Sequence, residues 1–110
     1  MWKVKVYEAK NKKEPFNDWF NSLKDFKAYS KIAVRLKRFE NGYFGDSPVI
    51  RKGIFELRVD EGPGYRVYFS KVDLDKVLIL NGGTKKTQDK DIAIAEIYLN
   101  DYKSKKDIKW

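Results

Sequence analysis

The chain has no cysteine and no histidine among its 110 residues. Their absence excludes Ser-His-Asp and Cys-His nucleophile systems, along with thiolate and imidazole metal sites. Any proton transfer falls to Glu, Asp, Lys, Tyr or Arg. No tight acidic cluster demands a carboxylate-held magnesium, so neither metal nor cofactor is expected. Without cysteine there is no disulfide framework, and the amino-terminal MWKVKVYEAK holds no apolar signal stretch. A cytoplasmic location is the expectation. No apolar run approaches the ~20 residues of a membrane span, so no membrane partner is expected.

What the chain has in excess is positive charge. Lysine and arginine number 24 against 16 acidic residues, a net charge of +8. Such a field favours polyanions, nucleic acid above all, or an acidic protein partner. Hydrophobic residues make up 42% and aromatics 15%, enough to build the core of one domain spanning 1–110.

Trp2, Val4 and Val6 alternate with Lys3, Lys5 and Tyr7, which predicts a first strand. Pro15 suits the first turn of a short helix whose apolar face is Phe16, Trp19, Phe20 and Leu23. Helical spacing assigns these rings to the core rather than to base stacking. A second helix runs from Phe26 or Lys27 to Asn41, with Ile32, Leu36 and Phe39 inward and Gly42 ending it. The few residues between the two helices predict an antiparallel hairpin. On the second helix's basic face, Arg35 and Arg38 are either solvated or candidate contacts to RNA, as is Lys52 beyond it. The segment 43–52 reads as a loop.

Phe55–Val59 and Tyr65–Phe69 flank a Gly-Pro-Gly turn, and Val77–Leu80 follows, which predicts a three-stranded antiparallel meander. By parity, Phe55, Leu57, Val59, Tyr65, Val67 and Phe69 share the core face. Glu56, Arg58, Arg66 and Tyr68 then stand together on the other. Lys85 and Lys86 follow the next strand and reach the same region. Two arginines, a carboxylate, a tyrosine and lysines make a candidate seat for phosphodiester chemistry. Val77–Leu80, apolar on both faces, belongs inside the sheet with the first strand as its other neighbour. Gly82 and Gly83 allow a close-approach turn, although the spacing is not that of a P-loop. A last helix carries Asp89 and Asp91 in its first turn and a stripe of Ile92, Ala95, Leu99 and Tyr102, widened by Ile94 and Ile97. The lysine-rich tail from Lys103 to Trp110 is expected to fray.

The stretches ELR, GPGYRVYF and VLILNGGTKKTQDKDI, in that order, resemble the RelE/ParE superfamily of bacterial toxins. The nearest branch is the HigB-like, phage-related addiction module killers. The resemblance covers nearly the whole chain. It implies an α+β fold of order β-α-α-β-β-β-α, with a small, mostly antiparallel sheet, an N-terminal helical hairpin and a C-terminal helix. It also implies the toxin of a type II toxin–antitoxin pair, held in a hetero-oligomer by an antitoxin that in this branch is a helix-turn-helix protein. The RelE-type activity is metal-independent cleavage of mRNA on the ribosome. Carried over, Arg66 matches the arginine at the scissile phosphate, Arg58 a basic position on the preceding strand, and Lys85 or Lys86 a basic residue after the fourth strand. The lysine pair that RelE relatives carry on the second strand has no counterpart; Ile54 and Glu56 stand there. The relatives' C-terminal tyrosine or histidine has no clear match either, with Tyr98 and Tyr102 as substitutes.

In that chemistry the RNA 2′-OH is the nucleophile. Glu56 is the candidate base as the lone carboxylate on the inferred face, with an ion pair to Arg58 or Arg66 as the other reading. Arg58 and Arg66 would hold the phosphate, Lys85 or Lys86 the leaving oxygen or the backbone, and Tyr68 either stacks a base or is structural. The alternatives are a ParE-like, non-enzymatic gyrase poison and a non-catalytic RNA-binding relative.

Overall fold

Val4 and Val6 turn inward between exposed lysines, and Lys3–Val6 forms strand β1 in the computed structural model, which describes residues 1–105 and 110. Helix α1 (Pro15–Asn21) and helix α2 (Phe26–Lys37) follow. Asp25 caps α2 by accepting the Ala28 N–H at 3.1 Å. A 3₁₀ turn at Arg38–Asn41 ends at Gly42, whose φ of 78° is the left-handed conformation that closes the helix. Strands β2 (Val49–Arg51), β3 (Ile54–Val59), β4 (Tyr65–Asp73) and β5 (Lys76–Thr84) lead to a 3₁₀ turn at Lys85–Thr87 and helix α3 (Gln88–Ser104). No helix among the described residues is long and apolar enough to cross a membrane.

The class is α+β: a five-stranded mixed sheet in the order β1-β5-β4-β3-β2, with three α-helices. β1 runs parallel to β5, and the other pairs are antiparallel. As the apolar pattern of Val77–Leu80 requires, β5 lies inside the sheet beside β1.

Two cores sit on opposite faces. On one, Phe16, Ala28, Ile32 and Phe39 from the α1–α2 side cover Leu57, Val59, Tyr65, Val67, Phe69, Val77 and Ile79. Phe20 stacks on Tyr29 at 4.1 Å between ring centres, tying α1 to α2. On the other, Ile92, Ala95 and Leu99 of α3 cover Ile54, Tyr68, Leu78 and Leu80. Each Val, Leu, Ile or Phe side chain among them contributes about 1.5–3 kcal/mol when fully buried.

Four expectations change. The segment 43–52 is not all loop, because Val49–Arg51 pairs with β3 as an edge strand; three residues are too few to show a period. Gly82 and Gly83 lie within β5 rather than in a turn. Ile97 is 64% exposed, on the outer side of α3, so it does not widen the buried stripe. Lys103 and Ser104 continue α3, Lys105 donates to the Glu8 carbonyl at 3.1 Å, and Trp110 donates its indole N–H to the Tyr102 hydroxyl at 2.9 Å; residues 106–109 of the tail expected to fray lie outside the described residues.

Candidate functional site

Cross-strand register brings the charged positions of β3 and β4 together. Arg58 lies opposite Arg66, and Glu56 opposite Tyr68. The same rows continue into β5, with Tyr68 opposite Asn81 and Arg66 opposite Gly83. Between Tyr68 and Phe69 the β4–β5 register slips by one residue, from Asn81 to Ile79. This bulge at Leu80 reverses the parity of the residues beyond it. Gly82 is thereby turned toward Trp19 of α1, while Asn81 and Gly83 meet α3: the Asn81 amide donates to the Asp91 carbonyl at 3.0 Å, and Gly83 faces the Asp91 carboxylate.

The charged face is not open as the parity argument supposed. The first turn of α3 lies over it, and Glu56 is 0% exposed. Its Oε1 accepts from Arg58 Nε at 3.1 Å and lies 3.8 Å from Arg66 Nε, while its Oε2 accepts from Gln88 Nε2 at 2.6 Å. A carboxylate with no path to solvent does not reach a substrate. Glu56 is therefore an anchor for two guanidiniums, which is the ion-pair reading of the sequence. The base assignment does not fit its burial.

The two arginines differ in access. The Arg58 side chain is 42% exposed and Arg66 only 10%. Arg66 donates from one Nη to the Tyr65 carbonyl at 3.0 Å, and its buried Nε has no hydrogen-bond partner. Arg66 and Lys85 line a groove of about 490 Å³ along the β3–β4 hairpin, where Gly62 and Gly64 turn with positive φ. The Lys85 N–H donates to the Gly64 carbonyl at 2.8 Å, which fixes the lysine beside the hairpin. Lys86 is exposed on the same 3₁₀ turn. Arg58 opens instead toward a groove of about 500 Å³ against α2, lined also by Arg35 and Arg38. Arg35 reaches in to donate to the Arg58 carbonyl at 3.2 Å.

Two candidates fall away. Tyr68 is 0% exposed in the α3-side core, so no base can stack on it. Its burial, then the Glu56 charge beside it, push its phenol far above the ordinary tyrosine range. Its hydroxyl has no partner within hydrogen-bonding geometry. Lys52 sits in the β2–β3 turn, at the opposite end of β3 from Arg58 and about 20 Å along the strand. The substitutes for a C-terminal aromatic are also engaged elsewhere, with Tyr98 stacked on Tyr7 and Tyr102 bonded to Trp110.

Sequence reading missed Gln88, Asn81, Thr87 and Asp91. Thr84 and Thr87 bond reciprocally across the 3₁₀ turn, and the Thr87 hydroxyl donates to the Asp91 carboxylate. These bonds set the first turn of α3 over Glu56. The available signal was Gly83 just after the apolar run of β5, which marks close approach by another element. Among the described residues no group of three His, Cys, Asp or Glu side chains is placed to hold a metal ion.

No family model matches the chain. An uncharacterized protein of Haemophilus influenzae is 49% identical to it over 82 residues, spanning 74% of this chain and 83% of that one. At that identity and coverage, the chain belongs to the same family as the Haemophilus influenzae protein.

Proposed function

We propose that this protein is the toxin of a type II toxin–antitoxin pair and acts as a metal-independent RNA endonuclease on ribosome-bound mRNA. One observation carries the reading: a single buried carboxylate holds two cross-strand arginines at the mouths of two grooves, a basic one that Arg58 shares with Lys31, Arg35 and Arg38, and a mixed one that Arg66 shares with Lys85, Asp60 and Glu61. The sheet order, the paired N-terminal helices and the closing α3 support a RelE-like arrangement alongside the resemblance of GPGYRVYF and GGTKKTQDKDI. The net charge of +8 suits ribosomal RNA as a docking partner and an acidic segment of an antitoxin as a neutralising one.

In this reading the RNA 2′-hydroxyl gives its proton to solvent water as its oxygen attacks the adjacent phosphorus, and the 5′-oxygen leaves and is protonated, giving a 2′,3′-cyclic phosphate and a 5′-hydroxyl. Arg58 and Arg66 stabilise the charge that builds on the phosphoryl oxygens. Guanidinium forks match two oxygens at once. Lys85 or Lys86 delivers the proton to the leaving oxygen or holds the backbone. Glu56 fixes the arginines and does not itself take the 2′ proton.

A second reading, a non-catalytic RNA-binding relative, is favoured by the same burial of Glu56, which keeps the carboxylate between the two arginines out of contact with substrate. Induced expression followed by primer extension on mRNA separates the readings. A-site cleavage that Arg66→Ala abolishes supports the nuclease. Salt-dependent RNA binding with no product supports the binder. A DNA-damage response with intact messages points to gyrase poisoning and overturns both.

A further inference from the structure

We propose that Gln88 is a positioning residue, whose amide turns the Glu56 carboxylate so that one oxygen serves both arginines. The catalytic consequence rests on the nuclease reading; the positioning does not. The Gln88 amide donates to Glu56 Oε2 at 2.6 Å, which leaves Oε1 to face Arg58 Nε at 3.1 Å and Arg66 Nε at 3.8 Å. Without a donor on Oε2, the carboxylate is free to rotate and divide its oxygens between the guanidiniums. Arg66 Nε, buried and otherwise unpartnered, would then lose its alignment.

The neutrality of the amide matters. One carboxylate between two guanidiniums leaves a net positive charge at the site. A lysine or arginine in place of Gln88 would compete for Glu56, whereas glutamine satisfies the second oxygen without adding a rival cation. Gln88 is itself held firmly as the first residue of α3. The preceding 3₁₀ turn is pinned by the Thr84–Thr87 bonds, by Thr87 on Asp91, and by the Lys85 N–H on the Gly64 carbonyl. The titratable groups around it are Glu56 and Arg58 on β3, Arg66 and Tyr68 on β4, Lys85 and Lys86 on the 3₁₀ turn, and Asp89, Lys90 and Asp91 on α3.

The test reads the arginines directly and needs no RNA. Nitrogen-15 spectra resolve the Nε–H signals of Arg58 and Arg66, assigned by Arg58→Lys and Arg66→Lys, and give their exchange rates with water. Gln88→Met removes the donor at similar length and should speed Arg58 Nε–H exchange at least tenfold in a folded protein. Gln88→Glu supplies a donor only while the new carboxyl is protonated. Relative to the unsubstituted protein at each pH, protection should persist at low pH and disappear as that carboxyl ionises. Unchanged exchange in folded Gln88→Met overturns the proposal. Should Gln88→Met fail to fold, the Gln88→Glu titration decides, and protection that does not follow the new carboxyl overturns it. In the cleavage assay the same variants should lower the single-turnover rate in parallel with the lost protection. Exchange effects without cleavage by any form, the unsubstituted protein included, would leave the positioning standing and remove the nuclease reading.

Discussion

A Cβ built on Gly83 would fall 1.8 Å from Oδ2 of Asp91, so strand β5 and helix α3 share space that only a glycine leaves free. The glycine thus admits the carboxylate that receives the Thr87 hydroxyl, and through Thr87 it sets the turn that carries Gln88 to Glu56. Gly82 plays the same part on the other face, where a Cβ would lie 2.3 Å from the Trp19 ring.

Gly83→Ala should therefore destabilise the fold, by about 1–3 kcal/mol as for other overpacked cores. The measurement is the urea midpoint, with Gly83→Ala, Asp91→Ala and the double variant forming a cycle. The second substitution should restore part of what the first removes. Strict additivity would mean the two residues do not share that space.

The contrast between the two glycines and the two arginines explains what the sequence made legible. Arg58 and Arg66 could be placed on one face because the parity of β3 and β4 is regular through Phe55–Val59 and Tyr65–Phe69. The α1 and α2 stripes were legible for the same reason, as Phe16, Trp19 and Phe20 on α1 and Ile32 and Leu36 on α2 recur at helical spacing. The bulge at Leu80 was not, because an inserted residue leaves no mark in an apolar run, and everything after it points the other way. The burial of Glu56 was equally hidden. Nothing in FELRV says that the opposite face will be roofed by a helix starting 32 residues later at Gln88.

That roof predicts how Glu56 variants behave. Glu56→Ala strands the nearly buried Arg66 without its counter-ion and should cost about 3–5 kcal/mol, read from the urea midpoint. Glu56→Gln keeps an acceptor and should cost less. If cleavage is confirmed, Glu56→Gln should slow it while leaving the shape of its pH–rate profile intact, because an anchor rather than a base has been altered. Loss of the limb that reports deprotonation of an essential base would restore Glu56 to the proton-transfer role.

Arg58→Lys separates charge from geometry. A lysine keeps the positive charge but has no fork and no Nε–H to lie on Glu56. Ribosomal cleavage should fall about 10²-fold, the scale of losing one preorganised donor to a developing charge. Stability should hardly change, because this side chain is half in solvent. An Arg58→Lys protein cleaving at full rate would show that charge alone suffices there.

The far end of α3 is tied down by a different polar pair, and this one titrates. The Tyr7 hydroxyl, just beyond β1, donates to Asp101 Oδ2 at 2.5 Å, and Lys105 Nζ lies 3.1 Å from the same oxygen. The Tyr7 hydrogen bond, then that of Lys105, hold the Asp101 carboxyl below its ordinary value of 3.8. A carboxyl depressed in the folded state contributes stability that is fully present above the unfolded value and lost as pH falls through the folded one. Tyr7→Phe should therefore lower the urea midpoint at about pH 6 while changing it less at about pH 2, because the coupled stability is lost as pH falls toward the depressed Asp101 value. Its acid-induced loss of stability should be the smaller of the two. Equal loss between those two pH values, with and without the Tyr7 hydroxyl, would show that the Tyr7–Asp101 bond does not couple proton binding to folding.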